Sequence, residues 1–337
     1  MSLDNKILKE ISNLNVVAIG GGTGISTMLR GIKKYFDNLT AIITVADDGG
    51  GSGMLREDLN MLPPGDVRNC IMALANTEPL MERLLSYRFD KGRLEGQSFG
   101  NLFLAAMCGI SGGSFEEAVK QFSDVLAVKG RVLPVTTQNI NLGARLSDGS
   151  VVLGESSIPS TVISKGAKID ELFLTPSNPN PVYDCIKSIY NADFIILGPG
   201  SLYTSIIPNL LVDGISEAIY KSDAKVVYVC NIMTQPGETD NFTAYDHIEA
   251  IKKHSKYDFI DYCIVNTEPL NDFLKAKYRL SHSFAITVDD YKFYKNNINL
   301  IGENLLDMAK DVVRHNYNVL ADTLVKLFYE IKTKKRE

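Results

Sequence analysis

Glycines set beside hydroxyls, acids and an arginine are the residues of this sequence best placed to do chemistry. Gly20-Gly21-Gly22-Thr23-Gly24 follows an apolar run and opens a helical pattern. Glycines there let the backbone turn tightly and come close to a ligand, while the free N–H groups at the positive end of a helix dipole attract phosphate. The plainer alternative is a turn needed only for close strand–helix packing. Ile25 stands where the third glycine of G-x-G-x-x-G belongs, so the dinucleotide fingerprint is not met and a nicotinamide-dependent oxidoreductase is a weak reading.

Asp47-Asp48 closes a second apolar run and is followed by Gly49-Gly50-Gly51-Ser52-Gly53, read as a flexible loop almost without side chains. Two adjacent carboxylates at a strand end suit a divalent cation, a ribose hydroxyl or a capped turn. Pro63-Pro64-Gly65-Asp66-Val67-Arg68-Asn69 places Asp66 at a helix N-cap. Arg68 in the first turn opposes the helix dipole and therefore calls for an anion or carboxylate partner. Two further loops, Gly198-Pro199-Gly200-Ser201 and Asn231-Ile232-Met233-Thr234-Gln235, again follow apolar runs. Loops converging at one end of successive parallel strands make the crevice where such sheets bind ligands.

Gly96-Gln97-Ser98-Phe99-Gly100 matches G-x-S-x-G, yet the preceding 91–95 is no buried strand and no histidine stands out as a base. A serine hydrolase is set aside on that missing context. Ser98 reads instead as a helix N-cap or a polar contact to ligand, and Asn101 is counted with the ligand-facing groups.

The chain has 337 residues, enough for one large α/β domain or two ordinary ones. Its net charge of −5, with both signs scattered, gives no basic field to hold nucleic acid. The basic run 332–336 is read as a solvated helix end. Five cysteines without C-x-x-C spacing read as reduced core thiols, and the four dispersed histidines make no zinc pattern. No run reaches the roughly 18 apolar residues of a membrane span, so the expectation is a soluble cytoplasmic protein.

The elements that must position these groups are β-loop-α units. Strands are expected at 15–19, 40–46, 193–197, 225–230, 261–265 and 284–288, and helices at 25–35, 66–75, 98–107, 115–128, 183–190, 243–254 and 319–332. The strands are continuously apolar, as in a parallel sheet covered on both faces. Between about 131 and 175 short alternating strands flank a turn at Ser147-Asp148-Gly149-Ser150, which reads as a β-rich insertion. The expected architecture is a single Rossmann-like α/β domain over 1–337, a mostly parallel sheet flanked by helices, carrying that insertion.

Taken in order and spacing, these loops resemble the bacterial gluconeogenesis factors, also called YvcK-like proteins, which are related to 2-phospho-L-lactate transferase (CofD-like). The resemblance runs from about Val16 to Ala321. It implies a cytoplasmic binder of a nucleotide sugar of the UDP-N-acetylglucosamine type, regulating carbon metabolism and cell-wall morphogenesis. It places the ligand on Gly20 to Gly24, Asp47, Asp48, Gly49, Asp66, Arg68, Asn69, Gly198, Pro199, Gly200, Ser201, Asn231, Thr234 and Gln235. It adds Tyr278 in Lys275-Ala276-Lys277-Tyr278-Arg279 and Arg314 in Asp311-Val312-Val313-Arg314-His315-Asn316. An aromatic beside cations suits base stacking, and a lone arginine suits a diphosphate. The transferase relatives imply an alternative: a metal-dependent 2-phospho-L-lactate transferase acting on a deazaflavin precursor, with Mg²⁺ on Asp48 and Asp66. The chain departs from its relatives at Gln97, where they usually carry His, and at Gly51, where many carry Ser. No general base or acceptor pocket is legible, so a regulator is favoured over an enzyme; no cofactor is certain, Mg²⁺ is the one that the transferase alternative would bring, and a homo-oligomer stays open.

Overall fold

The computed structural model describes residues 5–307 and 312–334. Asp311 of the quoted motif and residues 335–336 of the basic run lie outside them.

Among the described residues ten strands make up the seven-stranded and three-stranded sheets, and a two-residue pairing of Leu306–Asp307 with Arg314–His315 is added near the C-terminus. In chain order, β1 is Asn15–Gly20, β2 Asn38–Ile43, β3 Arg131–Pro134, β4 Asn141–Leu146, β5 Val151–Leu153, β6 Ile169–Thr175, β7 Phe194–Leu197, β8 Lys225–Val229, β9 Tyr262–Asn266 and β10 Asn299–Glu303. Seven of them form one parallel sheet in the order β10-β9-β8-β7-β1-β2-β3. From β1 the chain winds outward to β2 and β3, then returns to β7 on the other flank of β1 and winds the opposite way. The direction of winding thus reverses between β1 and β7, and an open α/β sheet offers its ligand crevice at such a point.

The apolar reading of the strands holds because helices cover both faces. All four residues of β7 are buried, as are five of six in β1. Phe194 on β7 stacks on Phe328 of helix Tyr317–Lys334 with ring centroids 3.8 Å apart, and Phe36 packs on the same ring from the other side of the β1–β2 crossover.

The expected strand at 284–288 is not one. Its backbone is spent on the loop after β8: Thr234 N–H donates to the Phe284 carbonyl, Ile286 N–H to the Ile232 carbonyl and Ala244 N–H to the Thr287 carbonyl. The sheet closes instead with β10, a short edge strand with no fully buried residue, whose half-exposed pattern gives little apolar signal. The glycine run after Asp48 is likewise no loop but the start of helix Gly50–Leu59. Gly53 serves close approach, since a Cβ there would collide with the Asp48 carbonyl oxygen, whereas Gly50 faces open space and takes a left-handed φ of +48°.

Of the β-rich stretch, β3 joins the main sheet beside β2, and the antiparallel lobe proper is β5-β4-β6. Two polar fastenings tie it down. Arg56 donates to the Ile140 carbonyl and to Asn141 Oδ1, and His254 accepts the Leu172 N–H at its Nε2 while its Nδ1–H meets the Ala250 carbonyl. Among the described residues no single helix is long and apolar enough to cross a membrane.

Candidate functional site

The two loops that flank the winding reversal approach each other backbone to backbone. A Cβ on Gly24 would collide with the Pro199 carbonyl oxygen, and one on Gly200 would lie 3.2 Å from the Gly21 carbonyl oxygen. Gly22 has φ +69°, a left-handed conformation that glycine adopts without strain. Helix Gly22–Ile32 therefore begins at the mouth of the sheet, and its N-cap Gly21 offers no side chain to its first turn. Helix Gly50–Leu59 and helix Gly65–Leu74 likewise start without a side-chain cap, whereas Ser98 and Thr243 cap helices Phe99–Ile110 and Ala244–Ser255.

A cleft of about 260 Å³ opens between the loops, lined by Gly22, Thr23, Gly24, Thr27, Pro199, Gly200, Ser201, Ser205, Asn231, Ile232, Met233, Gln235, Val313, Arg314 and His315. Its floor is rich in donors. The N–H groups of Thr23 and Gly24 lie in the first turn of helix Gly22–Ile32, where no carbonyl one turn earlier takes them, and those of Gly200 and Ser201 make no backbone hydrogen bond among the described residues. The walls are fixed by side chains: Asn231 Nδ2 donates to the Gly200 carbonyl at 2.8 Å and Gln235 Nε2 to Ser201 Oγ at 2.6 Å, while Gln235 Oε1 is buried without a partner among the described residues. Arg314 reaches across from the C-terminal part of the chain, its Nη1 donating to Thr23 Oγ1 at 3.2 Å. No carboxylate lines this cleft, so one guanidinium and the backbone amides set its potential.

The acids lie next door. Asp47 Oδ1 accepts the Gly49 N–H, and Asp48 Oδ1 accepts the N–H of Ser156 from the antiparallel lobe, each at 2.9 Å. Asp66 Oδ2 lies 2.7 Å from where a Cβ on Gly21 would stand. Burial pushes the Asp66 carboxyl up to about 6 against the pull of a bond from the Gly22 backbone. Glu155 of the lobe is pushed up to about 9, by burial first and then by the fields of Asp47, Asp66, Asp48 and Glu238. Glu238, from the loop after β8, is pushed up to about 7 by burial. The geometry thus gathers five carboxylates, but among the described residues no three acid, imidazole or thiol groups converge as metal ligands. Asp48 and Asp66, the pair assigned to Mg²⁺ by resemblance, both belong to this acidic cluster through their fields on Glu155.

Other expected site residues stand behind the walls. Arg68 is 9 % exposed and makes no direct ion pair among the described residues: its Nη1 donates to Ser98 Oγ and its Nη2 to Asn69 Oδ1, while the expected carboxylate acts at longer range, the field of Asp66 favouring the charged guanidinium against its burial. Asn101 is buried beside them, its N–H on Ser98 Oγ and its Oδ1 without a partner. Arg68, Asn69, Ser98 and Asn101 thus form a buried polar knot beneath helix Phe99–Ile110, and Gly100 presses on the Arg68 side chain. Thr234 is buried, its Oγ1 accepting the Phe284 N–H. Tyr278 packs in a small apolar cluster with Ile232, Met233 and Val313, and its hydroxyl accepts the Val313 N–H at 2.8 Å, one residue from Arg314. Gly20 ends β1 and Gly198 precedes the cis Pro199.

The sequence reading passed over Thr27, Ser205, Glu155 and His315 as site residues. Thr27 lay one helical turn from the glycine loop, and Ser205 and His315 stood inside or beside motifs already quoted. Glu155 gave no signal, because only the folded lobe brings it to Asp48.

Residues 16–306 match the 2-phospho-L-lactate transferase CofD family. The chain is 54% identical over 323 residues to a putative gluconeogenesis factor of Thermoanaerobacterium thermosulfurigenes, covering 95% of this chain and 99% of that one. It is 53% identical to a putative gluconeogenesis factor of Clostridium acetobutylicum over 94% of this chain and 71% of the relative. A crystal structure of a protein from Bacillus halodurans superposes with a TM-score of 0.89 at 46% identity, over 94% of this chain and 99% of that one. With a shared fold, a family match across most of its length and relatives of this identity, the chain belongs to the 2-phospho-L-lactate transferase CofD family, among the gluconeogenesis factors.

Proposed function

We propose that the cleft between β1 and β7 binds the diphosphate of a nucleotide sugar, of the UDP-N-acetylglucosamine type, and that the protein acts as a ligand-responsive regulator of carbon metabolism and cell-wall morphogenesis. One observation carries the reading: four backbone N–H groups from two glycine loops, outside the backbone hydrogen bonds among the described residues, line the cleft, with Arg314 at its edge and no carboxylate in the lining. A diphosphate needs many donors in a small space, and a helix start supplies them at no cost in side-chain entropy. The regulatory part of the reading is supported by the family resemblance, and its carbon-metabolism side by the name gluconeogenesis factor that the relatives carry.

Calorimetry with UDP-N-acetylglucosamine tests the binding. Wild-type protein is expected to bind it, and a folded Gly22→Val variant, forced off φ +69°, to lose it. Equal affinity in both would make the glycine loop a packing feature.

A transferase reading is favoured by the cluster of carboxylates beside Gly22, because gathered carboxylates attract a divalent ion and such ions neutralise diphosphates. Since no metal-ligating group of three stands among the described residues, no coordination is assigned to it. Product formed from a nucleotide-activated phospholactate donor and a deazaflavin acceptor, at a rate that follows Mg²⁺ concentration and falls in Asp48→Asn, would establish it.

A further inference from the structure

His315 lines the cleft next to Arg314, and its ring is held in a single way. Its Nε2 lies 3.1 Å from the Cys230 carbonyl oxygen at the end of β8. A carbonyl only accepts, so Nε2 carries the proton of that bond. Burial holds the imidazole's pKa down to about 4, which leaves the ring neutral across the physiological range. In a neutral ring with its proton on Nε2, Nδ1 is a bare acceptor. No partner for Nδ1 exists among the described residues, and it is not among the sealed, unpaired buried atoms.

The geometry points to His315 Nδ1 as an acceptor that reads a hydroxyl or N–H donor on the bound ligand, at a position flanking the diphosphate. This deepens, and rests on, the nucleotide-sugar reading of the same cleft. A fully ionised diphosphate offers no donor, so the partner of Nδ1 belongs to the ribose, the base or the sugar. The neighbouring donors then take the phosphates while His315 discriminates what is attached to them. A site built around a hydrogen bond rejects an analogue that lacks it more strongly than a hydrophobic pocket rejects a missing methylene, because the polar group is left unpaired.

The test is calorimetry on wild type, His315→Phe and His315→Gln with four ligands: UDP-N-acetylglucosamine, its 2′-deoxyribose analogue, its N3-methyluracil analogue and inorganic pyrophosphate. The sugar's own hydroxyls and acetamide are probed by comparison with UDP. For wild type, one of the ligands lacking a donor is expected to bind about tenfold or more weakly than UDP-N-acetylglucosamine. His315→Phe is expected to bring UDP-N-acetylglucosamine down to the level of that one ligand, to leave that ligand where it was, and to leave pyrophosphate unchanged. His315→Gln, which keeps an acceptor, should recover part of the discrimination.

A folded His315→Phe with unaltered preferences, or one that loses all four ligands alike, would overturn the assignment. Should His315→Phe not fold, undiminished discrimination in a variant with Leu at 315 or the absence of any in wild type would do the same. Failure of wild type to bind any UDP compound would instead bring down the reading of the cleft, and this assignment with it.

Discussion

Arg314 is the only lysine or arginine among the residues lining the cleft, and it reaches Thr23 across nearly the whole length of the chain. Hydrogen bonds to charged groups contribute about 1.5–3 kcal/mol, so Arg314→Ala is expected to weaken a UDP sugar by roughly 10- to 100-fold while barely changing free uridine. Parallel titrations on a variant with wild-type melting temperature check this; equal losses for both ligands would remove the guanidinium from the phosphates. Arg314 was singled out through the family resemblance, and its place in the cleft lining follows from the fold. Arg68 was legible only by half: its position against the helix dipole demanded a partner, and Asp66 in the same turn supplies a favourable field, but the bond to the Ser98 hydroxyl depends on folding helix Phe99–Ile110 over it. His315 had no such tell, since the bond that fixes its proton is made to a residue of β8.

Among the elements, the helix starts do the positioning and their glycines are required for different reasons. Gly22 needs a left-handed backbone, while Gly24 has ordinary torsions and needs room for the Pro199 carbonyl. Gly24→Ala is therefore expected to push the two loops apart and abolish nucleotide-sugar binding with far-UV circular dichroism unchanged. Retained affinity would show that their close approach does not serve the ligand. The β-loop-α rhythm, most of the sheet and the first glycine loop could be read from sequence because buried parallel strands are continuous apolar runs. Residues 284–288 have that same apolar, β-branched look but give their hydrogen bonds to the loop after β8, and composition does not say where a backbone bonds. Helix Gly50–Leu59 was hidden because glycine disfavours helices intrinsically, a preference that packing against Asp48 overrides here.

Across the whole molecule, the lobe and the sheet meet at carboxylates that burial makes difficult to ionise. Glu155 rises from 4.5 to about 9, Glu238 from 4.5 to about 7 and Asp66 from 3.8 to about 6. Each folded-state value lies above the unfolded one, so the folded protein holds extra protons between them. The stability these groups contribute is fully present below about pH 4 and is lost as pH rises through about 6, 7 and 9 in turn. Glu155→Gln, which cannot ionise, is expected to lower the drop in melting temperature between pH 5 and pH 9. An identical drop in both proteins would place Glu155 in a more hydrated setting.

The claim that the diphosphate lies at the winding reversal is tested most directly by a crystal structure with UDP-N-acetylglucosamine bound. The phosphate oxygens are expected within hydrogen-bonding distance of the N–H groups of Thr23, Gly24, Gly200 and Ser201, with Arg314 turned from Thr23 toward them. A diphosphate seated instead over Asp48 and Asp66, with Thr23 and Gly200 uncontacted, would contradict it.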